Sequence, residues 1–136
     1  MRTINPEPGQ LQKALSNVPS GKPVVMLNLL KFRDKALYED GVSEISGRKA
    51  YAIYSEGAIK HIQRVGAKLI WSAEVKAPII CPEHEEWDQV LLVIYPSMEK
   101  FLEMVNDPEY QKIAIHRTAA LEDSRLITTV EQVRNL

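Results

Sequence analysis

Two short stretches of this chain are apolar at almost every position: residues 24–32 (VVMLNLLKF) and 90–95 (VLLVIY). Successive side chains of a strand point to opposite faces. A run that is apolar at odd and even positions alike is therefore covered on both sides, the mark of a central strand. Residues 67–80 read differently. Leu69, Trp71, Ala73 and Val75 alternate with Lys68, Ser72, Glu74 and Lys76. This alternation predicts a one-sided strand suited to a sheet edge, bent near Pro78. A closing strand is expected over residues 125–130.

Between the strands the period changes from two to 3.6. Ser46 reads as the N-cap of a helix running to about Val65, with Gly66 as its stop. Tyr51, Tyr54, Ala58, Ile62 and Val65 recur at spacings of three and four and face the core. Gly57 inside that helix costs about 1 kcal/mol relative to Ala; close packing against a neighbour would explain it. Pro96-Ser97 opens the next helix, with Met98, Phe101, Leu102 and Val105 as its apolar stripe and Asn106 as its end. Asp107-Pro108-Glu109 then reads as N-cap, N1 and N2 of a further helix. Its inner face carries Tyr110, Ile113, Ala114 and Leu121. Residues 1–9 read as loose and 33–45 as a charged loop. Pro8 opens a short helix to about Asn17, with Leu11, Leu15 and Val18 on one side.

The resulting order is β-α-β-β-α-β, an α+β ferredoxin-like sandwich with an antiparallel sheet. Right-handed crossovers place the first and third strands in the middle, and those are the two strands that are apolar on both faces. One domain covers residues 1–136, with 1–21 as an N-terminal extension and 22–130 as the core. In this fold the helices cover one face of the sheet only. The other face would leave Val, Leu and Ile side chains in water at about 25 cal/mol per Å². A second copy packed sheet to sheet, a homodimer of C2 symmetry, is the expected cover. The rival cover is the N-terminal segment folded across that face.

Composition changes this picture little. The chain has 136 residues, 45% hydrophobic and 26% charged, with a net charge of -1. Such a balance calls for neither nucleic acid nor an anionic membrane as partner. The longest apolar run falls far short of the ~20 residues that cross a bilayer. The opening MRTINPEPG has no apolar signal segment. The one cysteine, Cys81, cannot form a disulfide within the chain, and a reducing cytoplasm is the expected setting. Cys81 itself reads as a small apolar filler at a strand end.

Several short motifs carry a family resemblance. They are Met26-Leu27-Asn28-Leu29-Leu30-Lys31-Phe32, Ser46-Gly47-Arg48, Trp71-Ser72, Trp87-Asp88, Tyr95-Pro96-Ser97, Asp107-Pro108-Glu109-Tyr110 and His116-Arg117. Spread over most of residues 22–130, they resemble the dimeric α/β-barrel superfamily. Within it they resemble a bacterial domain-of-unknown-function family, numbered thirteen-thirty. The resemblance implies the fold and the pairing but no agreed reaction. Superfamily relatives include cofactor-free monooxygenases, lactone isomerases and haem enzymes, which typically use a pocket between the sheet and its helices. No catalytic set carries over residue by residue.

Candidate chemistry rests on a few side chains. Asn28 is an amide inside an apolar strand. It either orients a substrate carbonyl or bonds a loop or helix end, since a buried amide without a partner costs a few kcal/mol. Arg117 falls on the inner side of its helix and needs an anion: Asp88 or Asp123 as a structural partner, or a ligand carboxylate or enolate. Trp71 and Tyr54 line an aromatic pocket or simply pack the core. Arg48, in a first helical turn, binds an anion or points to solvent. Among His61, His84 and His116 no spacing suits a metal. His61 is the candidate general base, and His116 points away from its helix's apolar face. Three readings follow. The first is a cofactor-independent isomerase or monooxygenase-like enzyme acting on a carbonyl, enol or aromatic compound, with no cofactor expected. The second is a non-catalytic dimeric binding module. The third is a haem-binding protein.

Overall fold

The two all-apolar stretches lie side by side at the centre of one sheet in the computed structural model, which describes residues 2–132. Met1 and residues 133–136, the ends of the expected 1–136 domain, lie outside the described residues. The elements in chain order are α1 (Gln10–Asn17), β1 (Val24–Phe32), β2 (Leu37–Tyr38), β3 (Gly41–Val42), α2 (Gly47–Arg64), β4 (Lys68–Glu74), β5 (Gln89–Tyr95), α3 (Met98–Val105), α4 (Pro108–Ala120) and β6 (Leu121–Thr129). The main sheet has the order β4-β5-β1-β6. β1 pairs antiparallel with β5 from Val24↔Tyr95 to Leu30↔Gln89, and with β6 from Val25↔Thr129 to Phe32↔Leu121.

Register decides which side chains share a face. Val24, Met26 and Leu30 of β1 are fully buried, with Val93 and Tyr95 of β5 beside them, under the helices. Asn28 belongs to this same set by its alternation and faces the helices as well. Val25, Leu27, Leu29, Val90, Leu92 and Ile94 form the opposite face and are only partly covered. β4 takes the expected edge position, but its alternation is broken. The pairing shifts between Leu69 and Trp71, so Leu69 pairs with Val93 on the helix side and Trp71 with Leu92 on the other. A one-residue slip of this kind moves every later side chain to the opposite face. Leu69 and Trp71 therefore do not face one way. The strand also stops at Glu74 rather than running to residue 80.

The helix starts follow their caps. Ser46, Ser97 and Asp107 each accept a backbone N–H of the first turn, from Lys49, Lys100 and Glu109. Each bond satisfies one of the donors that a helix start leaves without a partner. α2 and α4 pack against each other, and Gly57 is the reason they come so close. A Cβ there would sit 2.9 Å from Cγ2 of Ile113. Gly47 is tighter still, because an added Cβ would collide with the carbonyl oxygens of Arg33 and Ala120. Its own N–H donates to Arg33 O, and Arg33 N–H donates to Ala120 O. Those bonds tie the start of α2 to the end of α4, where helix passes into strand without a loop. Leu121 is thus the fully buried first residue of β6, not the last of a helix face.

Three connections depart from expectation. Residues 33–45 contain the hairpin β2–β3, which buries Ala36 and sets the Tyr38 hydroxyl 2.7 Å from His116 Nδ1. Residues 75–88 are irregular, and Cys81 stands exposed there, not packed as a filler. The N-terminal segment is tied down. Thr3 N–H donates to Asp123 Oδ1 at 2.8 Å, its hydroxyl to Ser124 O, and the buried Ser124 hydroxyl donates back to Thr3 O at 2.8 Å. Leu11, Ala14, Leu15 and Val18 then pack on the helix-side core. The segment covers the helix side of the sheet, so it is not the cover of the opposite face.

Candidate functional site

Between the sheet, the α2–α4 pair and the N-terminal segment lies an open cavity of about 1470 Å³. Its floor is strand: Met26 and Asn28 of β1, Leu91 and Val93 of β5. Tyr51 and Tyr54 come from α2, and Tyr110, Ala114 and Arg117 from α4. Ile4, Pro6, Leu11 and Ala14 close the remaining side. Mostly apolar walls with a few convergent polar groups are the usual composition of a small-molecule site.

Polar groups break the apolar lining at several points, and Asn28, Arg117 and the tyrosines are those that lie between the sheet and the α2–α4 pair. Asn28 donates from Nδ2 to Met26 O at 3.3 Å, a long bond inside its own strand and its one hydrogen bond among the described residues. Its carbonyl oxygen is left for another donor. Arg117 donates from Nη1 to Ile4 O at 2.8 Å. The expected carboxylate partners are engaged elsewhere. Asp88 accepts from Phe32 N–H at 2.8 Å. Asp123 accepts from Thr3 N–H, Ser124 N–H and Arg125. The structural ion pair expected for Arg117 is therefore absent among the described residues. Both aspartates sit at strand ends, but neighbouring backbone donors reach them first.

The three tyrosines form a ring-packed group. Tyr51 and Tyr54 have centroids 5.3 Å apart, and the Tyr54 and Tyr110 hydroxyls are 2.6 Å apart. Burial pushes the Tyr51 phenol up to about 12, with the Arg117 charge opposing it. Burial likewise raises Tyr54 well above the usual phenol range, again against Arg117. Both stay protonated at neutral pH. Neutral phenols can donate a hydrogen bond but do not serve as bases.

Of the residues singled out in the sequence, Asn28, Tyr54 and Arg117 meet on this cavity; Trp71 and His61 do not line it. The β4 shift carries Trp71 to the opposite face, where it is 53% exposed. His61 is buried behind Tyr110, their rings edge to face with centroids 6.0 Å apart. Its Nδ1 lies 3.1 Å from Arg64 Nη2, and its Nε2 has no partner among the described residues. A general base must reach the proton it takes, and His61 does not line the cavity. Arg48 sits at the rim, its guanidinium 4.9 Å above the Phe32 ring and 3.9 Å from Asp88. His84 and His116 also lie off the wall. The residues that sequence reasoning missed are Thr3 and Ile4, which no helical or strand period marks. Tyr51 and Tyr110 read as core in the sequence, and the meeting of the Tyr54 and Tyr110 hydroxyls is foreshadowed only in that three tyrosines share inner helix faces.

The profile of one family, Domain of unknown function (DUF1330), matches residues 41–132. No curated protein matches the chain in sequence. Among solved structures, the RPA0582 protein of unknown function from Rhodopseudomonas palustris is 35% identical, with a TM-score of 0.89 over 98% of this chain and 100% of that one. A dimeric protein of unknown function and ferredoxin-like fold from Bacteroides fragilis is 12% identical, with a TM-score of 0.52 over 83% of this chain and all of that one. The hydroxynitrile lyase from Passiflora edulis is 10% identical, with a TM-score of 0.57 over 82% of this chain and 95% of that one. At such low identity these last two likenesses speak for the fold alone, which is ferredoxin-like.

Proposed function

Because the chain belongs to the DUF1330 family, whose name assigns no reaction, we propose its function from its cavity: it binds a small, mainly apolar carbonyl or enol compound and acts on it without a cofactor, as an isomerase or monooxygenase-like enzyme. The observation that carries this reading is that Asn28 on the sheet floor and Tyr51, Tyr54 and Arg117 on the helices line one cavity. Neutral phenols, an amide and a guanidinium held among apolar side chains would stabilise negative charge that develops on a substrate oxygen. The apolar floor would hold the body of the compound. Candidate site residues are Asn28, Tyr54 and Arg117, joined by Tyr51. The likeness of fold to a hydroxynitrile lyase is compatible with an enzyme on this scaffold.

The rival binding-module reading would be favoured by a collapsed cavity, with Arg117 tied to an internal aspartate and Asn28 to backbone; Asn28 does bond Met26 O, but the cavity is open and Arg117 bonds Ile4 O instead. A histidine-held haem has little support, since none of the three histidines lines the cavity. No helix among the described residues is long and apolar enough to cross a membrane.

The same reading makes the protein a homodimer through the uncovered sheet face. A folded monomer of this mass exposes about 7200 Å², whereas this chain exposes 9280 Å². The exposed residues 76–84 and the open cavity contribute to this excess, and so does the uncovered sheet face, where Trp71 is 53% and Ile127 47% exposed. A thermal-shift screen of small carbonyl compounds and quinones tests the binding. A stabilising hit that Ala114→Trp abolishes by filling the cavity is the expected result. A hit unaffected by that substitution would place the binding elsewhere.

A further inference from the structure

The chain has 18 Asp and Glu residues, and not one of them lines the cavity. Four cations do: Lys13, Arg48, Arg117 and Arg125. Two of these have carboxylates at hand, Arg48 at 3.9 Å from Asp88 and Arg125 at 2.7 Å from Asp123. Lys13 is exposed on α1. Arg117 differs from all three. It is half-buried beside Tyr51 and Tyr54, and among the described residues its one partner is the neutral carbonyl of Ile4. A guanidinium has five N–H donors in a planar fork, so one carbonyl leaves most of that capacity unused. A charge withdrawn from water without a counter-ion is costly, and an incoming anion would offset that cost.

We infer that the cavity takes an apolar molecule carrying one anionic head, a carboxylate, sulfonate or enolate, that Arg117 receives the head, and that the N-terminal segment is part of the site because Ile4 orients the guanidinium. This rests on the cavity being the ligand site proposed above and adds the charge of the ligand and the role of residues 2–20. The Ile4 bond fixes the fork from one side. The free N–H groups are left for a bidentate contact with two oxygens of the head. The Thr3 bonds to Asp123 and Ser124 hold Ile4 in place. Arg117 is the binding residue, and Ile4 and Thr3 are positioning residues.

Two dyes with the same aromatic body separate the parts of this inference. 8-Anilinonaphthalene-1-sulfonate carries one anionic group; N-phenyl-1-naphthylamine carries none. Titration of the full chain by fluorescence should show both dyes binding. Arg117→Met should weaken the anionic dye about tenfold, the scale of a lost hydrogen bond to a charged group, and leave the neutral dye within twofold. Arg117→Gln, which keeps a donor for Ile4, should show the same split and serves if the Met variant does not fold. Hydrogen exchange of the native chain should slow over residues 2–20 with the anionic dye and change less with the neutral one. Equal weakening of both dyes, or of neither, overturns the anionic head. Unchanged exchange over residues 2–20 overturns the role of the N-terminal segment. Failure of the anionic dye alone to bind overturns the anionic head, and failure of both dyes removes the ligand cavity itself, and this inference with it.

Discussion

Asn28 shows how a single residue separates a structural role from a binding one. Its amide makes one long bond to Met26 O in its own strand, which contributes little to folding. Asn28→Ala should therefore cost no more than about 1 kcal/mol in urea unfolding, while ligand affinity falls at least tenfold. A loss of several kcal/mol would mark the amide as structural. Tyr54 serves both purposes. Its hydroxyl, on the cavity lining, meets that of the buried Tyr110 at 2.6 Å, so Tyr54→Phe leaves that partner unsatisfied. A loss of about 1–2 kcal/mol is expected from thermal or urea unfolding. Asp123 ties the N-terminal segment through pH. Burial raises its carboxyl, but bonds from Thr3 N–H, Arg125 and Ser124 N–H outweigh that and hold it below the usual aspartate range. A carboxyl lowered by folding adds stability above its unfolded value of 3.8, and that stability is lost as pH falls through the lower folded value. The protection of the Thr3 amide, taken against its intrinsic exchange rate at each pH, should therefore fall below about pH 4 in the native chain. In Asp123→Asn that protection should be low at neutral pH as well. These roles were only partly legible in the sequence. Asn28 stands out because an amide interrupts an apolar strand. Arg117 stands out because its helical phase turns it inward. Ile4 does not stand out, since its contribution is a backbone carbonyl, which no side-chain pattern reveals.

Helices and strands were more readable than single contacts, because caps and periods are local. Ser46, Ser97 and Asp107 cap the helices expected of them, and Gly57 lies where two helices touch. Gly57→Ala weighs two effects. Helix propensity favours Ala by about 1 kcal/mol. The new methyl meets Ile113 at 2.9 Å, and overpacking costs about 1–3 kcal/mol. Packing should win, lowering the thermal midpoint, and the added substitution Ile113→Val should restore part of it. A rise in the midpoint for Gly57→Ala alone would show that α2 and α4 can part at no cost. Strand β4 was misread for a physical reason. Leu69, Ile70 and Trp71 are all apolar, so a one-residue shift leaves no wrong residue on either face to betray it. The hairpin of residues 33–45 escaped notice because its strands are two residues long, too short to display a period.

At the scale of the whole molecule, the sheet divides its work between two faces. The helix side, with the N-terminal segment folded onto it, encloses the cavity. The other side presents Leu27, Leu29, Val90, Leu92 and Ile94, edged by Trp71 at 53% and Ile127 at 47% exposure. The strand order was legible because two strands alone were apolar on both faces, and only central strands need to be. Occupancy of the second face was not, because an uncovered apolar surface does not name its partner. Sedimentation equilibrium of the native chain at micromolar concentration, run beside Leu27→Arg, tests the division most directly. The account expects a particle of about 31 kDa, twice the 15.4 kDa of one chain, and single chains after a charge is placed at the centre of the face. Native protein that sediments as single chains of 15.4 kDa at that concentration would contradict it.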